Sequence, residues 1–373
     1  MRILVAPDKF KGSLSALSVA TNIAIGLRDK LPEAEIELAP IADGGEGTAE
    51  VIHQACGGQW VTCRAHDAFG NEISARYLSL NEQMMAVIEM SEAAGIRSLV
   101  SNQLDPLRAT TYGVGEMLRA AAEGGAREII VGLGGSLTND GGFGMARALG
   151  IRFFAGEQEL RNGPVELDKL TRISQPDDLH LPPIIAAADV RNVLLGPRGA
   201  TPIFGPQKGV RPEQIKILER ALRKLADRIA LDLGCDFRNT PGAGAAGGLG
   251  FGLMSFCQAQ VRDGFGVVAD AIELDQKINR ADVVITGEGR FDAQTLEGKG
   301  PAGVAKLARE DGKLVFAIVG QMDPKVDRCG IFDAVYELAR PPITKTEAIK
   351  LTVELIRERA REIASRLRGF RIS

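Results

Sequence analysis

Glycine constrains this chain more than any other residue. Forty-four of its 373 residues are glycine, against about 7% in average usage, and they fall in short runs with no fixed period. Such runs mark backbone that turns tightly or comes close to a ligand. Several follow short apolar stretches. Ile3 to Ala6 is closed by Pro7, and Ile36 to Ala39 leads into Asp43-Gly44-Gly45 and a helical segment from Glu46 to Cys56. Between them Leu17, Ala20, Ala24, Leu27 and Leu31 recur at helical spacing, which predicts a helix with Ser13 as its cap and Pro32 as its stop. This β-loop-α-β-loop-α opening predicts an open parallel sheet with its loops at the carboxyl edge.

From about Gln59 the rhythm changes to short β-rich pieces, Trp60 to Arg64, Ile73 to Leu80 and Met85 to Met90, separated by Gly70-Asn71 and Asn81-Glu82 turns. Helices are expected near Tyr112 to Glu123 and Pro212 to Leu233, with a strand at Glu128 to Leu133. Asp282 to Thr286, Leu314 to Val319 and Ala334 to Tyr336 restore the opening alternation. A terminal helix is expected on the stripe Ile349, Val353, Ile356, Ala360, Ile363 and Leu367. The organisation predicted is a discontinuous α/β domain, residues 1–57 and 276–373, interrupted by a second α/β domain over 58–275, and two domains imply a cleft.

The net charge of -3, from 45 basic and 48 acidic residues interspersed along the chain, leaves no footprint for nucleic acid. Three Tyr and one Trp offer little for stacking bases. No apolar run is long enough for a membrane span, and Met1 to Pro7 enter a strand pattern without a basic leader, so a cytoplasmic protein is expected. The five thinly spread cysteines fit a reducing compartment. His53, Cys56, Cys63 and His66 lack the longer loop that separates ligand pairs in structural zinc sites. Cys56 reads instead as closing a helix before Gly57-Gly58, and Cys63 as a small hydrophobe on the next strand. With no coiled-coil repeat, the chain is expected to work as a monomer or small homo-oligomer.

Six segments could carry chemistry. Ala6 to Ser13 joins two lysines to a helix start, and Ala42 to Thr48 follows the second strand. Gly132 to Gly142 sets hydroxyls, an amide and a carboxylate between glycine pairs, so that its N–H groups could surround anionic oxygens while Asp140 or Asn139 reaches a cation. Thr201 to Gly209 carries Lys208, which reads as exposed. Pro241 to Gly250 has almost no polar side chains, so it either meets a ligand through backbone or permits close helix packing. Thr286 to Thr295 leads into Gly298-Lys299-Gly300. Neither the Walker pattern nor a clean G-x-G-x-x-G dinucleotide fingerprint is present, and lysines beside acidic side chains suit a metal-bound triphosphate better than a nicotinamide pyrophosphate.

Taken together, APDKFKGSL (Ala6 to Leu14), ADGGEGT (Ala42 to Thr48), TTYGVGE (Thr110 to Glu116), GGSLTNDGG (Gly134 to Gly142), FGPQKG (Phe204 to Gly209), PGAGAAGGLG (Pro241 to Gly250) and TGEGRFDAQTLEGKGPAGVA (Thr286 to Ala305) closely resemble the bacterial glycerate kinase family that makes 2-phosphoglycerate, over nearly the whole chain. The resemblance implies a flavodoxin-like parallel-sheet domain interrupted by a second α/β domain, and transfer from ATP, with Mg2+, to D-glycerate. A kinase of another small hydroxy or sugar acid, or a non-catalytic binder of acidic metabolites or nucleotides, stands as the alternative. Two departures are visible: the family's Cys-Asp-Val-x-Asn-Pro-Leu is Ala188-Asp189-Val190-Arg191-Asn192-Val193-Leu194 here, and its GGSATNDGG alanine is Leu137. Phosphoryl transfer demands cations, metal-holding carboxylates and a base. Lys9 and Lys11 are assigned to carboxylate or phosphate charge, and Asp189 or Asp292 to the base. Ser13, Gly44, Gly45, Ser136, Thr138, Asn139, Lys208, Thr295 and Lys299 are assigned to substrate or phosphate, and Asp43, Asp140 and Glu288 to the metal.

Overall fold

Alternating apolar strands and amphipathic helices do build two α/β units. The computed structural model describes residues 1–96, 104–292, 300–323, 330–340 and 343–369. One unit comprises Met1–Asp43, Glu50–Cys56 and Phe265–Ser373, and the other Gly44–Ala49 and Gly57–Gly264. The return to the first unit thus falls at Gly264–Phe265, ahead of the expected 275/276, and the loop Gly44–Ala49 goes with the second unit.

The first unit holds a five-stranded, all-parallel sheet. In chain order its strands are Arg2–Val5, Glu35–Leu38, Val283–Phe291, Leu314–Met322 and Ala334–Glu337, and in space they run 2-1-3-4-5. That is the flavodoxin-like order, whose switch point lies between the first and third strands. The central strands read as continuous apolar runs because helices cover both faces of such a sheet. Helix Ala16–Arg28 buries Val19, Ala20, Ile23, Ala24 and Leu27. Its cap is Ser15, whose hydroxyl accepts from Ser18 N, while the Ser13 hydroxyl donates to Thr352 Oγ1 at 3.0 Å. Leu17, expected on the buried stripe, sits one residue past that later start and is 36% exposed.

The terminal helix, Thr352–Arg368, buries Ile356, Ala360, Ile363 and Leu367 as the stripe predicts. Full burial of each larger side chain contributes about 1.5–3 kcal/mol. Ile349 leaves the stripe because it lies on a separate short helix, Lys345–Lys350, where it is exposed. Gly26 explains how closely the terminal helix packs on Ala16–Arg28, since a Cβ there would overlap Arg357 O.

The second unit centres on a six-stranded mixed sheet. Gln260–Asp263, Ile184–Ala188, Glu128–Gly132 and Met85–Glu89 run parallel, and Glu72–Leu80 and Gln59–His66 add an antiparallel hairpin. Asp67 shapes the hairpin turn by accepting Phe69 N and Asn71 N. A small sheet of Gln158–Glu159, Arg152–Ala155 and Arg172–Ser174 lies beyond it. Phe143, Phe153 and Phe256 meet edge to face in the core, with centroids 4.8 and 5.8 Å apart.

Candidate active site

In the first unit the polar residues gather where parallel strands end. The strand Arg2–Val5 runs on through Ala6 and Pro7 to Asp8, whose N–H donates to Gly287 O at 2.8 Å. The Thr286 hydroxyl ties the same edge to Ala6 O at 2.7 Å. Asp8 is buried, and its carboxylate accepts the N–H of Lys9 at 2.6 Å. Burial first, then the charge of Asp43, push its carboxyl up to about 7 against the opposing pull of Lys9. The Lys9 ammonium lies 3.6 Å from Asp43 Oδ1, both side chains partly exposed. Lys11 is exposed, its backbone flush against the third strand, where a Cβ on Gly289 would lie 3.2 Å from Lys11 N. Glu288 and Asp292 are half-buried near the end of that strand, with Asp292 3.5 Å from Arg290 Nε. Helix Gly300–Glu310 begins beside Asp8, whose Oδ2 is 3.8 Å from where a Gly300 Cβ would stand. The structure therefore brings Lys9, Asp43 and the unassigned Asp8 together. Ser13 is used in tying helices, and Thr295 and Lys299 lie outside the described residues.

The second unit presents a different chemistry, that of backbone packed on backbone. Gly44, at φ +82, fits where a Cβ would stand 3.0 Å from Ala187 O, and a Cβ on Gly134 would overlap Gly45 Cα. Glu89 Oε1 accepts Gly47 N at 3.0 Å and Ala49 N at 2.8 Å, so a protein carboxylate already occupies the start of helix Thr48–Cys56. Gly44 and Gly45 thus permit close packing of backbone on backbone.

Asp140 is fully buried inside the Gly134 to Gly142 loop. Its oxygens accept Thr111 N at 2.8 Å, the Thr111 hydroxyl at 2.9 Å, Gly144 N at 3.0 Å and Gly142 N at 3.1 Å. Burial raises its carboxyl above the ordinary range and these bonds oppose that shift. A carboxylate with four protein donors has little left for a cation, so the geometry makes Asp140 a brace, contrary to the metal role expected of it. Asn139 is also buried and donates to Thr201 Oγ1 at 3.0 Å. Leu137, in place of the family's alanine, is buried with Ala68 and Ala109 and leaves the loop intact.

Lys208 overturns its exposed reading. Only 1% exposed, it sits at the end of the turn Pro206–Lys208 and donates to Ser136 Oγ and Thr138 O, each at 2.7 Å. Burial pulls its ammonium down to about 7, against the pull of Asp140. The segment Pro241 to Gly250 takes the packing alternative: Ala246, Gly247 and Gly248 adopt left-handed φ, and Cβ atoms on Gly247 and Gly248 would crowd Thr138 O and Gly141 Cα. Asp189 is half-buried immediately after the strand Ile184–Ala188, on the edge that carries the Gly134 to Gly142 loop. Among the described residues no group of three His, Cys, Asp or Glu is arranged to hold a metal ion, and Cys63 lies on the strand Gln59–His66.

Asp8, Glu89 and Thr111 were missed as site residues. Asp8 and Thr111 lie in quoted motifs, and Glu89 is a lone acid closing an apolar strand, the signal that could have found it.

No helix among the described residues is long and apolar enough to cross a membrane. The glycerate kinase of Bacillus subtilis is 38% identical, over 99% of this chain and 98% of its own length. The glycerate 2-kinase of Escherichia coli K12 is 39% identical over 98% of each. A crystal structure assigned to glycerate kinase 2 from Salmonella typhimurium LT2 matches with a TM-score of 0.87 at 42% identity, covering 99% of this chain and 98% of that one. The family model described as "Glycerate kinase family" matches residues 3–368, and with that reach the chain belongs to the glycerate kinase family.

Proposed function

We propose that the protein transfers the γ-phosphoryl group of ATP to the 2-hydroxyl of D-glycerate. The observation that carries this reading is the end-to-end likeness to proteins named glycerate kinase and glycerate 2-kinase. In the reaction a glycerate oxygen forms a bond to the γ-phosphorus, the bond to the β-phosphate oxygen breaks, ADP leaves, and the hydroxyl proton passes to a carboxylate. Asp189 and Asp292, both half-buried and following strands, are the candidates for that acceptor. Lys9 and Lys11 supply positive charge for the carboxylate of glycerate or for phosphoryl oxygens, worth most where water is excluded. The loop from Gly134 to Gly142, braced by Asp140, offers hydrogen bonds in a fixed geometry.

Magnesium usually keeps several waters and takes one or two protein carboxylates together with phosphates, so a dedicated cage is not required. The donor set on the first unit fits that demand: Asp43 and Glu288 are half-buried carboxylates, and they are the residues that would hold the ion. Bound there, it would neutralise charge on the transferring oxygens.

Phosphorus and carbon NMR of the product from D-glycerate, ATP and magnesium tests the reading. A 2-phosphoglycerate signal with little turnover of L-glycerate is expected. A dominant 3-phosphoglycerate signal would reject the regiochemistry, and no glycerate-dependent ADP release would reject the assignment.

A further inference from the structure

We propose that Lys208 is a positioning residue that turns Ser136 into an obligate hydrogen-bond donor toward an oxyanion bound at the mouth of the Gly134 to Gly142 loop. This deepens the kinase reading and rests on it for the identity of the oxyanion.

The argument is one of proton direction. Lys208 donates to Ser136 Oγ, so that oxygen is already an acceptor and its own proton must point elsewhere. Ser136 is half-buried and Gly135 beside it exposed, whereas Lys208 and the residues from Leu137 to Asp140 are buried. Ser136 is therefore the place where a sealed cation reaches the surface of the loop. A hydroxyl polarised from behind by an ammonium group favours an anionic acceptor, as hydrogen bonds with an ionised partner are roughly twice as strong as neutral ones.

The second Lys208 bond, to Thr138 O, holds the other arm of the loop on the same amine. Its nearest counter-charge is Asp140, whose oxygens are already taken by four donors. An oxyanion outside Ser136 would accept the proton that the Lys208 bond turns outward. A separate observation points the same way. The buried Thr138 Oγ1 and Asn139 Oδ1 have no hydrogen-bond partner among the described residues, although buried polar atoms are rarely left unpaired. Unmet hydrogen-bonding capacity of this kind marks a place that awaits a ligand or water.

Two sources can supply the oxyanion, the phosphates of ATP and the carboxylate of glycerate. Calorimetry on the full chain with three probes separates them: a magnesium complex of a non-hydrolysable ATP analogue, D-glycerate, and inorganic phosphate. Ser136→Ala is expected to weaken one probe by about 10- to 100-fold, the range for a hydrogen bond to a charged group. Lys208→Met should weaken the same probe, and the double variant should be no worse than the poorer single variant. In Lys208→Ala, propylamine should restore binding while 1-propanol, of similar shape but uncharged, should not. Restoration by 1-propanol would show a packing role and overturn the proposal. So would wild-type affinity of Ser136→Ala for all three probes, or effects of the two substitutions that multiply independently. Should Lys208→Met fail to fold, the Ser136→Ala result decides. A wild type that turns over no glycerate, yet binds phosphate through Ser136 and Lys208 as described, would remove the kinase reading and leave this one standing.

Discussion

Replacing Asp140 tests whether a buried carboxylate braces the glycine loop or holds a metal. Asp140→Ala removes the acceptor for Thr111 N, Gly142 N, Gly144 N and the Thr111 hydroxyl at once. A buried donor left without a partner costs ~1–3 kcal/mol. Removing the charge also recovers the burial penalty that raises the carboxyl pKa, so the lower end of the sum applies, about 4 kcal/mol. That is a large part of the ~5–15 kcal/mol that holds a typical protein together. Asp140→Asn is milder. Its amide oxygen in the Oδ2 position keeps three bonds, and the amide nitrogen faces Gly142 N, costing ~1–3 kcal/mol. The chain has a single tryptophan, Trp60, on the hairpin of the second unit, so its fluorescence in a urea titration follows that unit. Loss of less than about 1 kcal/mol in Asp140→Ala would refute the bracing argument. A magnesium titration of activity completes it: the brace predicts an unchanged midpoint in Asp140→Asn, and a midpoint raised by about tenfold would restore the metal role.

Further expectations follow from the same geometry. Lys208 has its folded-state pKa lowered from 10.5 to about 7, so the unfolded chain binds more protons between those values and stability rises with pH across that window. The urea midpoint read on Trp60 should rise from pH 7 to pH 9 in the wild type and stay flatter in Lys208→Met; equal rises would contradict the buried ammonium. Asp8 has the opposite sign, since its raised pKa means the folded state binds more protons between 3.8 and about 7, and stability contributed at low pH is lost as pH rises through that range. Circular dichroism melts of Asp8→Asn between pH 4 and 7 should show a shallower decline than the wild type. Gly247→Ala forces a left-handed φ of +67 and a Cβ into Thr138 O, at a cost of roughly 2–5 kcal/mol, and an unshifted melting temperature would disprove it. Lys9→Met should melt like the wild type, because a partly exposed ion pair contributes ~0–1 kcal/mol, yet lose most of its turnover.

Much of the architecture could be read from local patterns, and the misreadings have specific causes. Strand and helix followed from periodicity, as in Ile356, Ala360, Ile363 and Leu367, where burial and spacing agree. Ser13 is the expected cap, but the helix begins later, at Ala16, so Ser15 caps it while the Ser13 hydroxyl meets Thr352 from the far end of the chain. Lys208 read as exposed because lysine usually is; the carbonyl and hydroxyl that hold its amine lie some seventy residues earlier in the chain. Asp140 carries a carboxylate suited to metal, and its competing partner Thr111 comes from a distant motif whose role no local rule displays. The run Pro241 to Gly250 has the small residues of a ligand loop and of a packing surface alike, and the nearness of Thr138 and Gly141 selects the second.

The interrupted path of the chain bears on how the protein is made. The chain crosses between the two units four times, after Asp43, Ala49, Cys56 and Gly264. The strand Arg2–Val5 leaves the ribosome well ahead of Val283–Phe291, its neighbour on one side. At the usual ~5–20 residues per second of synthesis, the opening pair of strands waits tens of seconds with an apolar edge unpaired. The later-starting unit, complete by Gly264, can close during that interval. Nascent chains stalled about 40 residues beyond Gly264, where the exit tunnel no longer holds the last strand of that unit, should therefore protect Trp60 from quenchers while leaving the strand Arg2–Val5 open to protease.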